Sequence, residues 1–220
     1  MRSVYWKMKK MKKIMFNDKY GLTKAVLKEK KTVTRRFINP QPSVNGCELA
    51  WLIDSTDKND KKRENQCKWL FKGEEVSNFF KPSFKVGDIA AIAQCYNDIP
   101  NIYSLITMLD PPLKTAGWRN KMFVKSSLMP YSIRFKDVRE ERLQDISDED
   151  CLKEGIVSYT KDETVNKYSW INSRVPWADM PRSPREAFAV LIDKISSKGT
   201  WDKNPYVWRY EFELVKSEQP

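Results

Sequence analysis

The chain has 220 residues, a net charge of +11, 40% hydrophobic residues and 31% charged residues. That is enough apolar mass for one sizeable core, and the composition is that of a soluble rather than a disordered chain. It contains no histidine, which excludes Ser-His-Asp and Cys-His nucleophile pairs and every metal site that uses imidazole. Catalysis, if present, must rest on Lys, Asp, Glu, Tyr, Thr, Ser or Cys.

The positive charge is local. Residues 1–36 carry 13 Lys and Arg against two acids, Asp18 and Glu29, and the rest of the chain is neutral overall. A concentrated basic patch attracts polyanions, because neutralising phosphates releases counterions. For residues 1–13 a solubilising tail and a phosphate-binding arm are equally open readings; residues 28–36 read as functional. The four cysteines, Cys47, Cys67, Cys95 and Cys151, form no CxxC pair, so no metal is expected and a reduced, cytoplasmic chain is. Cys47 and Cys67 are spaced to meet across a hairpin. No stretch has the length of a membrane span, and the N-terminus lacks the apolar region of a secretory signal.

In chain order, residues 1–11 read as a basic extension. Ile14-Met15-Phe16 opens as a strand, and a helix capped by Asn17 or Asp18 follows, with Leu22, Ala25 and Val26 on one face and an end near Glu29. Lys30–Phe37 reads as a strand or an extended segment. Residues 38–84 read as an insertion with two apolar pieces, Leu49–Ile53 and Cys67–Phe71, separated by a polar loop. The Val86-Gly87-Asp88 turn leads into a strand at Ile89–Tyr96. Tyr131–Leu143 is a long strand whose apolar members are Ile133, Phe135 and Val138. Ser147 caps a short helix that Gly155 ends. Ser183 caps a second one, with Pro184 in the first turn, Glu186 reaching back to the cap, and Gly199 at the end. Ala187, Phe188, Leu191, Ile192 and Ile195 form its apolar stripe. Tyr206–Val215 closes the chain as a strand with one buried face. This order predicts an α+β fold with a mostly antiparallel sheet or barrel, in a single domain over residues 1–220.

Lys30-Lys31-Thr32-Val33-Thr34-Arg35-Arg36, the Val86-Gly87-Asp88 turn, Leu143-Gln144-Asp145-Ile146-Ser147, Glu154-Gly155-Ile156 and the ending Trp208-Arg209-Tyr210-Glu211-Phe212 occur in one order. Together they resemble the ASCH family, especially its longer phage-associated and bacterial members. The resemblance covers residues 12–37 and 84–216. It implies a PUA-like β-barrel with flanking helices, decorated by the 38–84 insertion, and an RNA-related role. Some small members look like amidohydrolases that remove the acetyl group from N-acetylated cytidine. By that likeness Lys31, Thr34 and Glu154 are the catalytic candidates, with no cofactor. The chain departs from longer relatives after the Val86-Gly87-Asp88 turn. They carry an aromatic and an R-E pair there, where this chain has Ala90-Ala91-Ile92-Ala93-Gln94-Cys95-Tyr96.

The chemistry is compatible with this. A Thr hydroxyl without His needs another base, and a Lys amine serves only when its pKa is lowered, here by the neighbouring Lys30, Arg35 and Arg36. In a flat strand, however, Lys31 and Thr34 point to opposite faces, and Thr32, Thr34 and Arg36 line one face as a phosphate or base-edge surface instead. Cooperation of Lys31 with Thr34 requires a turn or bulge. Further ligand-binding candidates are Thr32, Arg35, Arg36, Arg134, and Trp118 with Lys121 in an irregular basic stretch. The expected partner is RNA or a nucleoside-like ligand, with no membrane. A non-catalytic, phage-associated accessory or scaffold protein is the alternative, and it predicts an exposed apolar patch on residues 44–84. Oligomeric state is left open.

Overall fold

A computed structural model describes residues 11–43, 46–52, 66–100, 102 and 116–216. Most of the basic extension and the polar loop of the insertion lie outside the described residues.

The fold is α+β. The principal sheet has five strands in the order β1-β6-β7-β10-β2, formed by β1 (Lys12–Ile14), β6 (Ile89–Ile92), β7 (Tyr131–Arg142), β10 (Tyr206–Lys216) and β2 (Val33–Phe37). Among the described residues only β1 and β6 run parallel in it; the other pairs are antiparallel. Among the described residues this sheet is open, with β2 at one edge. β3 (Glu48–Leu52), β4 (Gln66–Phe71) and β5 (Glu74–Glu75) make a second sheet; β8 (Ile156–Tyr159) and β9 (Lys167–Trp170) make a hairpin. Among the described residues the named α-helices are α1 (Leu22–Leu27), α2 (Asp148–Lys153), α3 (Pro184–Ile195) and α4 (Thr200–Lys203).

β7 and β10 show why the apolar spacing in Tyr131–Leu143 is irregular. Ile133 and Phe135 are two apart, but Val138 is three beyond Phe135, which in a regular strand would put it on the opposite face. Phe212 pairs with Phe135 and Glu211 with Asp137, so Lys136 is an extra residue in a β-bulge. The bulge restores phase, and Val138 stands opposite Tyr210 on the face that carries Phe135. From this face Phe135, Tyr210 and Phe212 enter the core with Phe16 and Phe84.

The insertion packs inward. Trp69 on β4 is fully buried against Tyr206, Trp51 packs at a tilt on Trp208, and Phe80 lies beside both Trp69 and Trp208. Cys47, Leu49, Trp51, Phe71 and Phe84 of the insertion also join this core, whereas Val76 stays exposed.

Several local expectations are corrected. Helix α1 begins at Leu22, not at Asn17 or Asp18, because Gly21 adopts φ 68, a left-handed conformation that no helix continues through. Asp18 instead accepts from the Thr23 hydroxyl and pairs with Lys121. Glu186 accepts from the Arg182 N–H at 3.3 Å, one residue before the Ser183 cap. Gly199 does not end α3; it precedes α4, and α3 stops at Ile195. Cys67 faces Trp51 on the β3–β4 hairpin while Cys47 lies beyond its other end, so the two thiols do not meet, and all four cysteines are free. Ser147 and Ser183 do cap their helices, each accepting from the N–H three residues on.

Among the described residues, no helix is long and apolar enough to cross a membrane, and no group of three or more Cys, Asp or Glu side chains is placed to hold a metal ion.

Candidate functional site

The site forms where the ends of α1 and α2 meet at the free edge of β2. After α1 the chain reverses: Glu29 takes φ 55, and the N–H groups of Lys30 and Lys31 both donate to the Ala25 carbonyl. Lys31 therefore sits in the turn, one residue before the strand-like tie of Thr32. The Thr32 N–H donates to the Lys153 carbonyl, and its own carbonyl accepts from the Phe212 N–H, each at 2.9 Å. This junction docks the C-terminus of α2 on the edge of β2. Gly155 makes the turn after Glu154 possible. At φ 101 it needs no side chain, and a Cβ there would stand 3.4 Å from Leu22, 3.5 Å from Ala25 and 3.7 Å from Lys31.

Glu154, the residue that ends α2, is delivered beside Lys31. The Lys31 ammonium donates to the Glu154 carboxylate and, at 2.9 Å, to the Glu154 carbonyl. Both residues are buried, at 2% and 4% exposure. The other carboxylate oxygen of Glu154 accepts from Arg35 Nη1 at 3.1 Å. Arg35 also donates through Nε to Glu141 at 2.6 Å and through Nη2 to Asp150 at 2.8 Å. Asp150 in turn accepts from Arg209 Nε at 2.7 Å and Nη2 at 3.0 Å. Three buried cations are thus interleaved with carboxylates, the arrangement that makes burial of charge tolerable.

Burial dominates the protonation of Lys31 and pushes its ammonium below the ordinary lysine value. Glu154 pulls the other way, and the Arg36 and Arg35 charges add to the lowering. Hydrogen bonds from Arg209 hold the Asp150 carboxyl well below the usual range, with Arg35 adding to the effect and burial opposing it. At Arg35 burial works against the charged form, but Glu154, Glu141 and Asp150 outweigh it and its pKa is raised. The Cys67 and Cys151 thiols are pushed up to about 12 by burial, so both stay protonated at neutral pH and are poor nucleophiles.

Thr34 lies on β2 opposite Tyr210 and is buried, and among the described residues its hydroxyl makes no side-chain hydrogen bond. Thr34 and Arg36 share one strand face, Arg35 the other. The two faces communicate at the edge. Lys31 Nζ and the Arg36 guanidinium lie over the same Phe16 ring, 6.0 and 5.7 Å from its centroid. The turn at Lys31 thus carries its ammonium to the ring beside which Arg36 emerges, while Glu154 still reaches Arg35.

Trp118, Lys121 and Arg134 are engaged elsewhere. Trp118 is half-buried and packs on the cluster of Ala91, Tyr96, Val124 and Met129. Lys121 pairs with Asp18 at 2.7 Å and donates to the Phe16 carbonyl. Arg134 makes an exposed ion pair with Glu213 at 3.5 Å. Sequence reasoning missed Asp150, Glu141 and Arg209. Asp150 looks like an ordinary acid in a first helical turn, and Arg209 like the solvent side of an alternating strand. The available signal was the excess of charge on β2 and β10, since two arginines on neighbouring strands need a shared acid.

Comparison of the chain with family models, with curated proteins and with solved structures gives no match.

Proposed function

We propose that this is a protein of the ASCH type, with a PUA-like fold, that handles RNA or a modified nucleoside and hydrolyses the N-acyl group of an acylated cytidine. The observation that carries this reading is the buried Lys31 ammonium clasped by Glu154, in the turn three residues ahead of the buried Thr34. The order α1, β2, long β7, α2 and closing β10 around that site supports it too, as does the mostly antiparallel principal sheet.

In the proposed reaction the neutral Lys31 amine takes the Thr34 hydroxyl proton as Oγ1 bonds to the acyl carbon. The carbon–nitrogen bond breaks, and the proton held by Lys31 passes to the leaving amino group of cytidine. Water then attacks the Thr34 ester. Lys31 accepts its proton and returns it to Oγ1 as the ester bond breaks, which releases the carboxylic acid and restores the site. Glu154 orients the amine, and Arg35 holds Glu154 from the side away from the reaction.

The test is release of acetate and cytidine from N4-acetylcytidine, followed by NMR. Thr34→Val, Lys31→Met and Glu154→Gln are each expected to lower kcat by at least about 100-fold, and Thr34→Val to leave Tm nearly unchanged. Absence of turnover by the wild-type protein would remove the catalytic step. In that case Arg35 and Arg36 should matter more than Thr34 for binding of the nucleoside, as the binding reading without catalysis requires.

A further inference from the structure

A second place on the molecule presents an unmet hydrogen-bonding demand, away from Lys31. Gln94 follows β6 and is 5% exposed. Its Nε2 donates to the Asp98 carbonyl at 3.3 Å, and its backbone N–H points at Met129 Sδ, 3.3 Å away. Its Oε1 is buried and has no partner. The amide cannot reverse to repair this, because the Asp98 carbonyl would then face the amide oxygen and lose its donor. A buried acceptor without a donor costs stability unless something fills it.

Gln94 lines a cavity of about 410 Å³, with Asp98 on one side and Asp18, Thr23, Lys24 and Leu27 of the α1 region on the other. The Thr23 hydroxyl is committed to Asp18, and Asp18 also to Lys121. Gln94 Oε1 is thus the position left asking for a donor. A second cavity of about 550 Å³ adjoins it, and both are walled by Asp18, Gly21 and Lys24. There Tyr20 and Trp170 meet edge to face at 5.6 Å, and Lys24 and Arg174 stand exposed with no carboxylate partner among the described residues. An acceptor at one end, an aromatic wall and two free cations at the other match one ligand shape: a flat ring bearing an N–H donor, linked to an anion.

We propose that this groove binds a nucleotide whose base carries an exocyclic amino group, the amino N–H donating to Gln94 Oε1 and the phosphate lying on Lys24 and Arg174. The site goes beyond the reading of the Lys31 centre and does not depend on catalysis there. It provides a second point of contact for a nucleic-acid strand.

Isothermal titration of the full chain with cytidine 5′-monophosphate, uridine 5′-monophosphate and cytidine tests the assignment. The cytidine nucleotide should bind at least about tenfold more tightly than the uridine nucleotide, which has a carbonyl in place of the amino group, and more tightly than the phosphate-free nucleoside. Gln94→Leu should erase the preference for the amino base. Lys24→Glu with Arg174→Glu should erase the advantage of the nucleotide over the nucleoside. Lys31→Met should leave both preferences in place, so failure of the amidohydrolase reading and failure of this one are separable. Equal affinities for the two nucleotides, a preference that survives Gln94→Leu, a preference lost in Lys31→Met, or no binding of any of the three would each overturn the proposal.

Discussion

Arg35 and Arg209 stand directly opposite each other on neighbouring strands, both buried, and Asp150 accepts hydrogen bonds from both. Two guanidinium groups in that position repel, so the carboxylate between them determines whether β2 can lie on β10 with its charged face closed. Asp150→Asn keeps the shape and removes the charge. It should cost about 1–3 kcal/mol, short of the penalty for an unpaired buried charge because Arg35 keeps Glu141 and Glu154 and Arg209 keeps Asp137 and Glu211, read as a lower denaturation midpoint in urea.

The same carboxylate gives an acid dependence. Its pKa is held below the unfolded value, so its contribution is fully present above about pH 4, the ordinary range for Asp. It is lost as pH falls toward the lower folded value. Stability measured from pH 6 to pH 2 should fall more steeply in the wild type than in Asp150→Asn.

Lys31 has the opposite sign. Its folded pKa is lowered, so between that value and about 10.4 the unfolded chain binds more protons than the folded one. Its contribution to stability therefore rises with pH through that window. Buried Tyr210, whose pKa is raised by burial, works against this in alkali. The informative quantity is accordingly the difference between wild type and Lys31→Met, measured by chemical denaturation from pH 7 to 10.5, which should move in favour of the wild type as pH rises. A difference that stays flat would mean the ammonium is not destabilised by its surroundings.

Gly155→Ala should destabilise by about 1–2 kcal/mol from the left-handed backbone alone. The added methyl would make only ordinary contacts with Leu22, Ala25 and Lys31, so relaxation of the φ 101 backbone is what would shift the neighbouring Glu154. A thermal melt gives the first effect. Any nucleoside turnover should fall further than the loss of folded protein explains.

Ser147→Ala removes the N-cap of α2, the helix that carries both Asp150 and Glu154. The expected cost is about 1 kcal/mol. Ser183→Ala on α3 removes an equivalent cap but holds no residue of the site. Comparing the two at matched loss of Tm separates stability from positioning: only Ser147→Ala should reduce activity or ligand binding beyond the stability effect.

Local chemistry made much of this protein legible in its sequence. Ser147 and Ser183 announce helix starts because a short hydroxyl side chain meets a free N–H within three residues. The apolar stripe of α3 and the alternation of β10 follow from periods of 3.6 and 2, which need no tertiary information. The absence of histidine limited the chemistry to groups such as Lys31, Thr34 and Glu154 before any fold was known. The start of α1 was misread because Asn17 and Asp18 are good caps, and only the left-handed Gly21 makes the chain turn once more before the helix.

Tertiary structure alone decided how these residues meet. Lys31 and Glu154 lie 123 positions apart, and their contact depends on two helix ends docking at a strand edge through Thr32 and Gly155. Nothing in the pattern near either residue encodes that. The bulge at Lys136 likewise depends on the register with β10, and Asp150, Glu141 and Arg209 become a network only because β2, β7, β10 and α2 converge. Burial then sets the protonation of Lys31. A sequence shows which side chains carry charge, whereas the free energy of that charge depends on how much water the finished fold excludes from around it.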